Sequence, residues 1–538
     1  MTALFAIIAG VAIMIAQSDA VRKLLWAESA ITQLYVDTVN EEKLVEDAIK
    51  GMLEKLDPHS SYSNAEETKE LNEPLQGNFS GIGISFNMIQ DTLYVIQTVA
   101  GGPSEKVGMV AGDRIIAVND TSIAGQKMKN SDIIKRLRGP KGTQVDLKVL
   151  RRPDTIDFVV TRAEIPIYSV DAAYMVDPTT GYIKLNRFAA ETPHEVIKAL
   201  EDLRSRGMKD LILDLTDNGG GYLQASIDLL GEFLEPGSLA VYTEGLNSPR
   251  NNNFAHPDGK KPLFDDGRLV VMMNQYSASA SEITAGAIQD WDRGLIVGRR
   301  SFGKGLVQRP IPFPDGSMVR LTVAHYYTPT GRDIQKPYTS GDNKSYESDI
   351  ADRFKNGELM HEDSLKVNKE LKVLTLKNKR EKFGGGGIYP DKFVALDTTE
   401  YTKYYRNVMA KGLFNKFVIQ YIDSNRNELK KKYKTDDDFV KKFEVSDEML
   451  DEFKAMADKE GVEFNEEDFK RSESLFRNVI KALIGRDVYE NYTFYKIVND
   501  KDPIYKEAYK LIKSDEYPLL LGPGPVNIDK SSIEDRTE

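Results

Sequence analysis

Apolar and polar positions change rhythm several times along the chain, and each change marks a different kind of element. Met1 to Ala16 is almost wholly apolar and is followed by Ser18-Asp19-Ala20. Over residues 21–75 the apolar positions Leu24, Ala27, Ile31 and Leu34 recur at helical spacing, which predicts helices. The run Leu56-Asp57-Pro58-His59-Ser60-Ser61-Tyr62 breaks them with a turn. From Phe79 to about Arg152 the pattern becomes short alternating runs separated by glycines, which predicts strands and one helix, Ser131–Arg138. Residues 161–335 alternate strand-like and helix-like runs, as an α/β domain does. Residues 338–383 are polar and lysine-rich and read as an insertion or surface arm. Residues 399–514 carry long, charged amphipathic runs that read as helices. The tail from Leu521, with Gly522-Pro523-Gly524-Pro525, reads as disordered.

Composition narrows the chemistry. A length of 538 residues corresponds to roughly three to four domains. There is no cysteine, which excludes disulfides, thiolate metal sites and a cysteine nucleophile. The five histidines, at 59, 194, 256, 325 and 361, share no close spacing, so a His–His metal pair is not expected. A net charge of −11 disfavours a polyanion, so nucleic acid is not an expected partner. Catalysis is left to hydroxyl, amine, carboxylate or amide groups. The apolar opening is shorter than the about 20 residues of a membrane span and fits a signal h-region. No Lys or Arg precedes it, and a buried N-terminal helix is the other reading. The expectation is export, with 1–20 removed, or membrane association if they are kept.

Two glycines open the strand-rich region, in Ser80-Gly81-Ile82-Gly83-Ile84-Ser85-Phe86. Successive backbone N–H groups there can form a nest for a carboxylate, and the following strand can accept an extended peptide at its edge. Alone, the segment reads as a hairpin turn. The later run Gly108-Met109-Val110-Ala111-Gly112-Asp113-Arg114-Ile115-Ile116, the helix and the strand from Thr143 to Val149 complete an order that resembles a PDZ domain. That resemblance implies capture of a free, apolar C-terminus of another protein, its carboxylate held on the backbone of Gly81, Ile82, Gly83 and Ile84.

In the α/β region, the apolar strand Leu211-Ile212-Leu213-Asp214 runs through Thr216-Asp217-Asn218 into Gly219-Gly220-Gly221 and then a helix, Ala225–Phe233. Such glycines either leave amides open for an oxyanion or allow tight strand-to-helix packing. Further on, Ser277, Ser279 and Ser281 crowd the start of a helix whose face carries Ile283, Ala287, Ile288 and Trp291. The macrodipole there favours negative charge, but Ser279-x-x-Glu282 is also a capping box. In Ser301-Phe302-Gly303-Lys304-Gly305-Leu306-Val307-Gln308, strand alternation would put Lys304, Leu306 and Gln308 on one face. A lysine acts as a base only when neutral, and Phe302, Leu306 and Val307 are the apolar neighbours that would desolvate it. The plain alternative is a solvated loop lysine.

The run SASASEITAGAIQD, the 25 residues from Ser279 to Lys304 and the following Gln308 resemble the carboxy-terminal processing (tail-specific) proteases, serine peptidases of the S41 type. The resemblance implies Ser279 as nucleophile, Lys304 as general base and Gln308 as the residue orienting the lysine. It also implies an oxyanion hole from the backbone of Ala280 and Gly221, with Gly220 the near alternative. It extends over about residues 21–400 and includes Tyr327-Thr328-Pro329-Thr330-Gly331-Arg332 and Gly386-Gly387-Ile388-Tyr389-Pro390-Asp391. Thr216 departs from it, standing where arginine is usual, which puts the support of the glycine loop in question. The arm and the helical C-terminus resemble larger members of Bacteroidetes type.

The expected architecture is multidomain α+β. An export segment (1–20) and a helical region (21–75) precede a PDZ domain (76–160). An α/β, ClpP/crotonase-like peptidase core (161–398, arm 338–383), a C-terminal helical region (399–520) and a tail (521–538) follow. The expected function is a cofactor-free serine endopeptidase that binds protein C-termini and cleaves near them. Its partners are protein or peptide substrates, and an adaptor protein or a homo-oligomer built on the helices after 400 is left open. The alternatives are a catalytically dead PDZ scaffold and a crotonase-like acyl-CoA enzyme.

Overall fold

The computed structural model describes residues 18–89, 91–151 and 153–522. Most of the expected export segment and nearly all of the expected tail lie outside the described residues. The protein divides into two compact units. The first holds the residues up to Lys69 with Val307–Val323 and Tyr338–Asp349; the second holds Glu70–Leu306, Ala324–Pro337 and Ile350 onward.

The first unit starts with helices Asp19–Leu34 and Glu41–Leu53, entered where the Ser18 and Asn40 side chains accept from the N–H groups of Val21 and Lys43. Such caps satisfy amides that a helix start leaves open. The Leu56–Tyr62 turn forms as expected and is organised by Asp57. Its Oδ1 accepts from the amides of His59 (2.9 Å) and Ser60 (3.0 Å), and its Oδ2 from Ser60 Oγ (2.5 Å). The short strand Ser61–Ser63 then pairs antiparallel with Met318–Arg320, Ser61 opposite Arg320.

In the second unit, the PDZ-like region is a sheet in which Ile84–Ile89, Thr92–Thr98, Arg114–Val118, Gln144–Arg151 and Asp154–Thr161 lie side by side in that order. Helix Asn130–Leu137 packs Ile133 and Leu137 into a core with Leu93, Ile115 and Val149. The α/β region is a six-stranded sheet: Val170–Asp177, Thr180–Leu185, Asp210–Asp214, Leu269–Met273, Leu295–Gly298 and Lys392–Phe393. Its first pair is antiparallel and the rest are parallel. The central strands are buried on both faces, which explains their continuous apolar sequence.

Within the expected arm a few residues are anchored: Arg353 is buried and donates to the carbonyls of Ser301 (2.8 Å) and Phe302 (3.1 Å), and Arg300 pairs with Glu358 at 2.7 and 2.9 Å. Buried guanidiniums need such acceptors, and a Lys-rich composition does not reveal them. The helices after 400 build a core of their own in which Tyr404, Phe414, Phe453 and Phe476 pack against one another. Phe476 is fully buried, so its truncation to alanine is worth about 3–5 kcal/mol. Helix Pro503–Lys513 then returns to the α/β sheet, placing Ile504, Tyr505 and Leu511 against Tyr182, Ile212 and Val270.

Candidate active site

Strand Leu269–Met273 ends in the turn that carries the three serines, and helix Ala280–Asp290, buried throughout, follows it. Ser277 and Ser281 are fully buried. Their hydroxyls are committed to backbone: Ser277 Oγ donates to Leu215 O at 2.8 Å and Ser281 Oγ to Asn218 O at 2.9 Å. Ser279 is half-buried and has φ 56° and ψ −115°, a strained conformation for a residue with a Cβ. Strain and partial access mark this serine out from the other two.

The expected capping box is present, and its acid does more than cap. Glu282 Oε2 accepts from the amides of Ser279 (2.8 Å) and Lys304 (2.9 Å). Oε1 accepts from Ser301 Oγ (2.5 Å) and the Gly303 amide (2.7 Å). Burial pushes this carboxyl up from its ordinary range, against the hydrogen bonds that pull it down. Two amides that share one oxygen lie within about 6 Å of each other, so Glu282 brings the serine turn and the lysine loop together. The Tyr326 hydroxyl lies at 3.2 Å from Ser279 O and also contacts Lys304 O, a second tie between the two.

Lys304 is half-buried and precedes strand Leu306–Pro312 instead of lying on it. The expected common face with Leu306 and Gln308 therefore does not extend to Lys304. Segments distant in sequence crowd this loop: a Cβ on Gly303 (φ 88°) would come within 3.0 Å of Lys336 Cβ, and one on Gly305 within 2.7 Å of the Gln335 amide. Neighbouring segments pass too close on both sides for an extended strand. Of the apolar neighbours named from sequence, Leu306 is buried, and the Phe302 ring carries Lys336 Nζ 4.0 Å from its centroid. Gln308 belongs to the first unit, where its Nε2 donates to Thr322 Oγ1 at 3.4 Å and that hydroxyl donates to Asp57 Oδ1 at 2.9 Å. Burial works to raise the Asp57 carboxyl, but hydrogen bonds from Ser60, His59 and Thr322 outweigh it and hold it below its ordinary value.

The glycine loop lies against the serine turn through Asn218, which is fully buried. Asn218 Nδ2 donates to Leu185 O (2.8 Å), Oδ1 accepts from the Gly220 amide (2.9 Å), and its carbonyl accepts from the Ala278 amide (3.0 Å) as well as Ser281. A Cβ at Gly220 (φ 97°) would stand 2.8 Å from Ser279 Cβ and 2.9 Å from Ala280 N, so only glycine fits. Gly221 is held by the Phe188 backbone, a parallel bridge with Phe188 N to Gly220 O at 2.9 Å and Tyr222 N to Phe188 O at 2.8 Å. The Gly220 amide is thus spent on Asn218. Among the described residues no acceptor takes the amides of Gly221 or Ala280.

Sequence reasoning passed over Lys184. This lysine is buried on strand Thr180–Leu185 and donates to Thr216 O (2.6 Å), Thr216 Oγ1 (2.7 Å) and Asp214 Oδ1 (3.1 Å). Its ammonium ties strand Thr180–Leu185 to Asp214 and Thr216, just before the segment that runs into the glycines. A lone charge inside an apolar strand was the available signal.

In the PDZ-like region, Ile82 is buried, Gly83 has φ 72°, and a Cβ on it would meet Ile165 at 2.9 Å. The carbonyls of Ile82 and Gly83 accept from Ser104 (3.1 Å) and Val99 (3.0 Å). Gly81 closes a strand paired with Ala163, and Ile84 opens strand Ile84–Ile89. That strand is the edge of its sheet, with a strand neighbour on one side only among the described residues.

Four family models match the protein. They are Peptidase family S41 over residues 179–345, a PDZ domain over 94–151, an activating protease CtpB N-terminal domain over 11–68 and a family of unknown function over 404–490. The carboxy-terminal-processing protease of Bartonella bacilliformis is 37% identical over 310 residues, 56% of this chain and 69% of that protein. The carboxy-terminal processing protease CtpB of Bacillus subtilis is 34% identical over 368 residues, 66% of this chain and 74% of that protein. A solved photosystem II D1 C-terminal processing protease aligns with 59% of this chain and 91% of its own, at 30% identity and a TM-score of 0.33. With relatives of this identity matched over more than two thirds of their length, the acyl-CoA reading is set aside. The protein belongs to the carboxy-terminal processing proteases, PDZ-bearing serine peptidases of family S41.

Proposed function

We propose that Ser279 is the nucleophile of this peptidase and Lys304 its general base. The observation that carries the reading is the shared Glu282 carboxylate, which ties the backbone of both residues while, among the described residues, the amides of Gly221 and Ala280 have no acceptor. In this reading neutral Lys304 takes the Ser279 proton as the hydroxyl attacks a peptide carbonyl. The oxyanion is received by the amides of Gly221 and Ala280, in place of Gly220, whose amide is already donated. The lysine then protonates the leaving amine, and water resolves the acyl-enzyme, a Ser–Lys form of nucleophilic catalysis. Gln308, four residues further along, orients the lysine amine.

The PDZ domain is the tether. A free apolar C-terminus adds to the open edge of Ile84–Ile89 with its carboxylate on the Gly81–Ile84 backbone, which raises substrate concentration at the serine. The apolar opening of the sequence is the export segment that delivers the enzyme to the periplasm or envelope. Incubation with an unstructured protein ending in an apolar residue tests the assignment by mass spectrometry of the products. Ser279→Ala and Lys304→Ala are expected to abolish cleavage with the fold retained, and full turnover by either would defeat it.

A further inference from the structure

The helical segment matched only to a family of unknown function touches the PDZ domain within the second unit, and the contact has the composition of a docking seat. On the outer face of strands Ile84–Ile89 and Thr92–Thr98, Ile89 and Ile96 are 5% and 8% exposed. They stand apart from the PDZ core and cluster with Ile419, with Tyr94 packed alongside. Ile419, on helix Leu413–Lys432, is buried there and is not part of the helical region's own core. One turn on, Asp423 Oδ2 accepts from the Arg114 guanidinium at 2.6 Å. The Arg114 side chain is 7% exposed, its guanidinium lies 4.7 Å over the Tyr94 ring, and its Nε and the other terminal nitrogen have no partner among the described residues. A buried cation with so few acceptors depends on Asp423. Residues four apart share one helix face, so Ile419 and Asp423 form a single contact strip.

The seam around this strip is not packed like a core. A cavity of ≈ 210 Å³ borders Tyr94, Gly112, Asp423 and Arg426, and another of ≈ 390 Å³ borders Ser85, Asn87, Gln97 and Arg486. A few apolar residues and one ion pair, flanked by space, make a joint between separately folded parts. The strip grips the back of the strand pair whose front edge is open.

We propose that the 404–490 helical region is the seat of the PDZ domain, and that it fixes the tether in the position from which a bound tail reaches the serine. The inference rests on the reading of the PDZ domain as a C-terminus tether. The test uses the full-length protein with Ile419→Asp and, as a milder second variant, Asp423→Asn; neither residue belongs to the catalytic or tail-binding groups. Three quantities are read: kcat/KM for a tailed unstructured protein, hydrolysis of a short untailed peptide, and Kd of a fluorescent apolar C-terminal peptide. Both variants are expected to lower tailed-protein cleavage, Ile419→Asp by about tenfold or more as effective concentration is lost, with peptide hydrolysis and tail Kd unchanged. Hydrogen exchange across 92–98 should rise in both. Unchanged or faster tailed cleavage, despite raised exchange, would overturn the seat. Exchange that stays at the wild-type level would overturn it without recourse to activity. Failure of wild-type enzyme to hydrolyse either substrate would instead strike at the proposed active site.

Discussion

A methyl group added at Gly220 probes how closely the glycine loop abuts the serine. A Cβ there would lie 2.8 Å from Ser279 Cβ and from Ala278 O, and 2.9 Å from Ala280 N. Carbon atoms rest at about 3.5–4.0 Å, so the loop or the serine must give by roughly 1 Å. A misplacement of that size costs about 100-fold in rate, equivalent to about 2.7 kcal/mol of transition-state stabilisation. The φ of 97° adds about 1–2 kcal/mol of strain to the fold. Gly219 is the internal control, because a Cβ there meets nothing within 4 Å and its φ is not positive. The assay is kcat and KM on a short peptide, with thermal unfolding and tail-peptide Kd measured in parallel. Gly220→Ala should lose kcat with Kd intact, while Gly219→Ala stays near wild type. Wild-type kcat in Gly220→Ala, or an equal loss in Gly219→Ala, would refute the reasoning.

Lys184→Met strips the buried Asp214 of its cation and should cost about 3–5 kcal/mol in chemical denaturation, with kcat falling more than KM changes; an unaltered unfolding midpoint would contradict the supporting role. Ser277→Ala removes a buried hydroxyl that donates to Leu215 O and accepts from the Asn274 amide, at about 1–3 kcal/mol, and should keep its activity, so an inactive but folded variant would reopen the choice among the serines. The hydrogen bond from His325 Nδ1 to Asp333 raises that histidine above its ordinary 6.5. Its stabilisation is complete below pH 6.5 and is lost as pH rises through the raised folded value. Partial exposure screens the pair, so the effect is small; a melting-temperature profile through that window should flatten in His325→Gln, and an unchanged slope would exclude the pair as its source.

The continuous apolar runs Leu211–Leu213 and Leu269–Met273 and the glycine punctuation of residues 79–152 were enough to place the sheets, because burial on one or both faces writes itself into the pattern. The serines were legible as a cluster. What singles out Ser279, a positive φ and the commitment of Ser277 and Ser281 to carbonyls 62 and 63 residues away, is not a local property. Glu282 read as a cap because its second oxygen serves residues 301 and 303 across a loop closure that no spacing encodes. Lys304 read as a strand residue because the contacts that forbid a strand come from 335–336 and 386–387. The burial of Arg353 and Arg300 has no local signal for the same reason: their acceptors are carbonyls and an acid distant in sequence.

Covalent labelling tests the central assignment most directly. Intact protein is treated with a fluorophosphonate, and the modified residue is located by peptide mass spectrometry. A single adduct on Ser279 is expected, at wild-type level in Ser277→Ala and lost in both Ser279→Ala and Lys304→Ala. An adduct on another residue, or undiminished labelling of Ser279 without Lys304, would contradict the account.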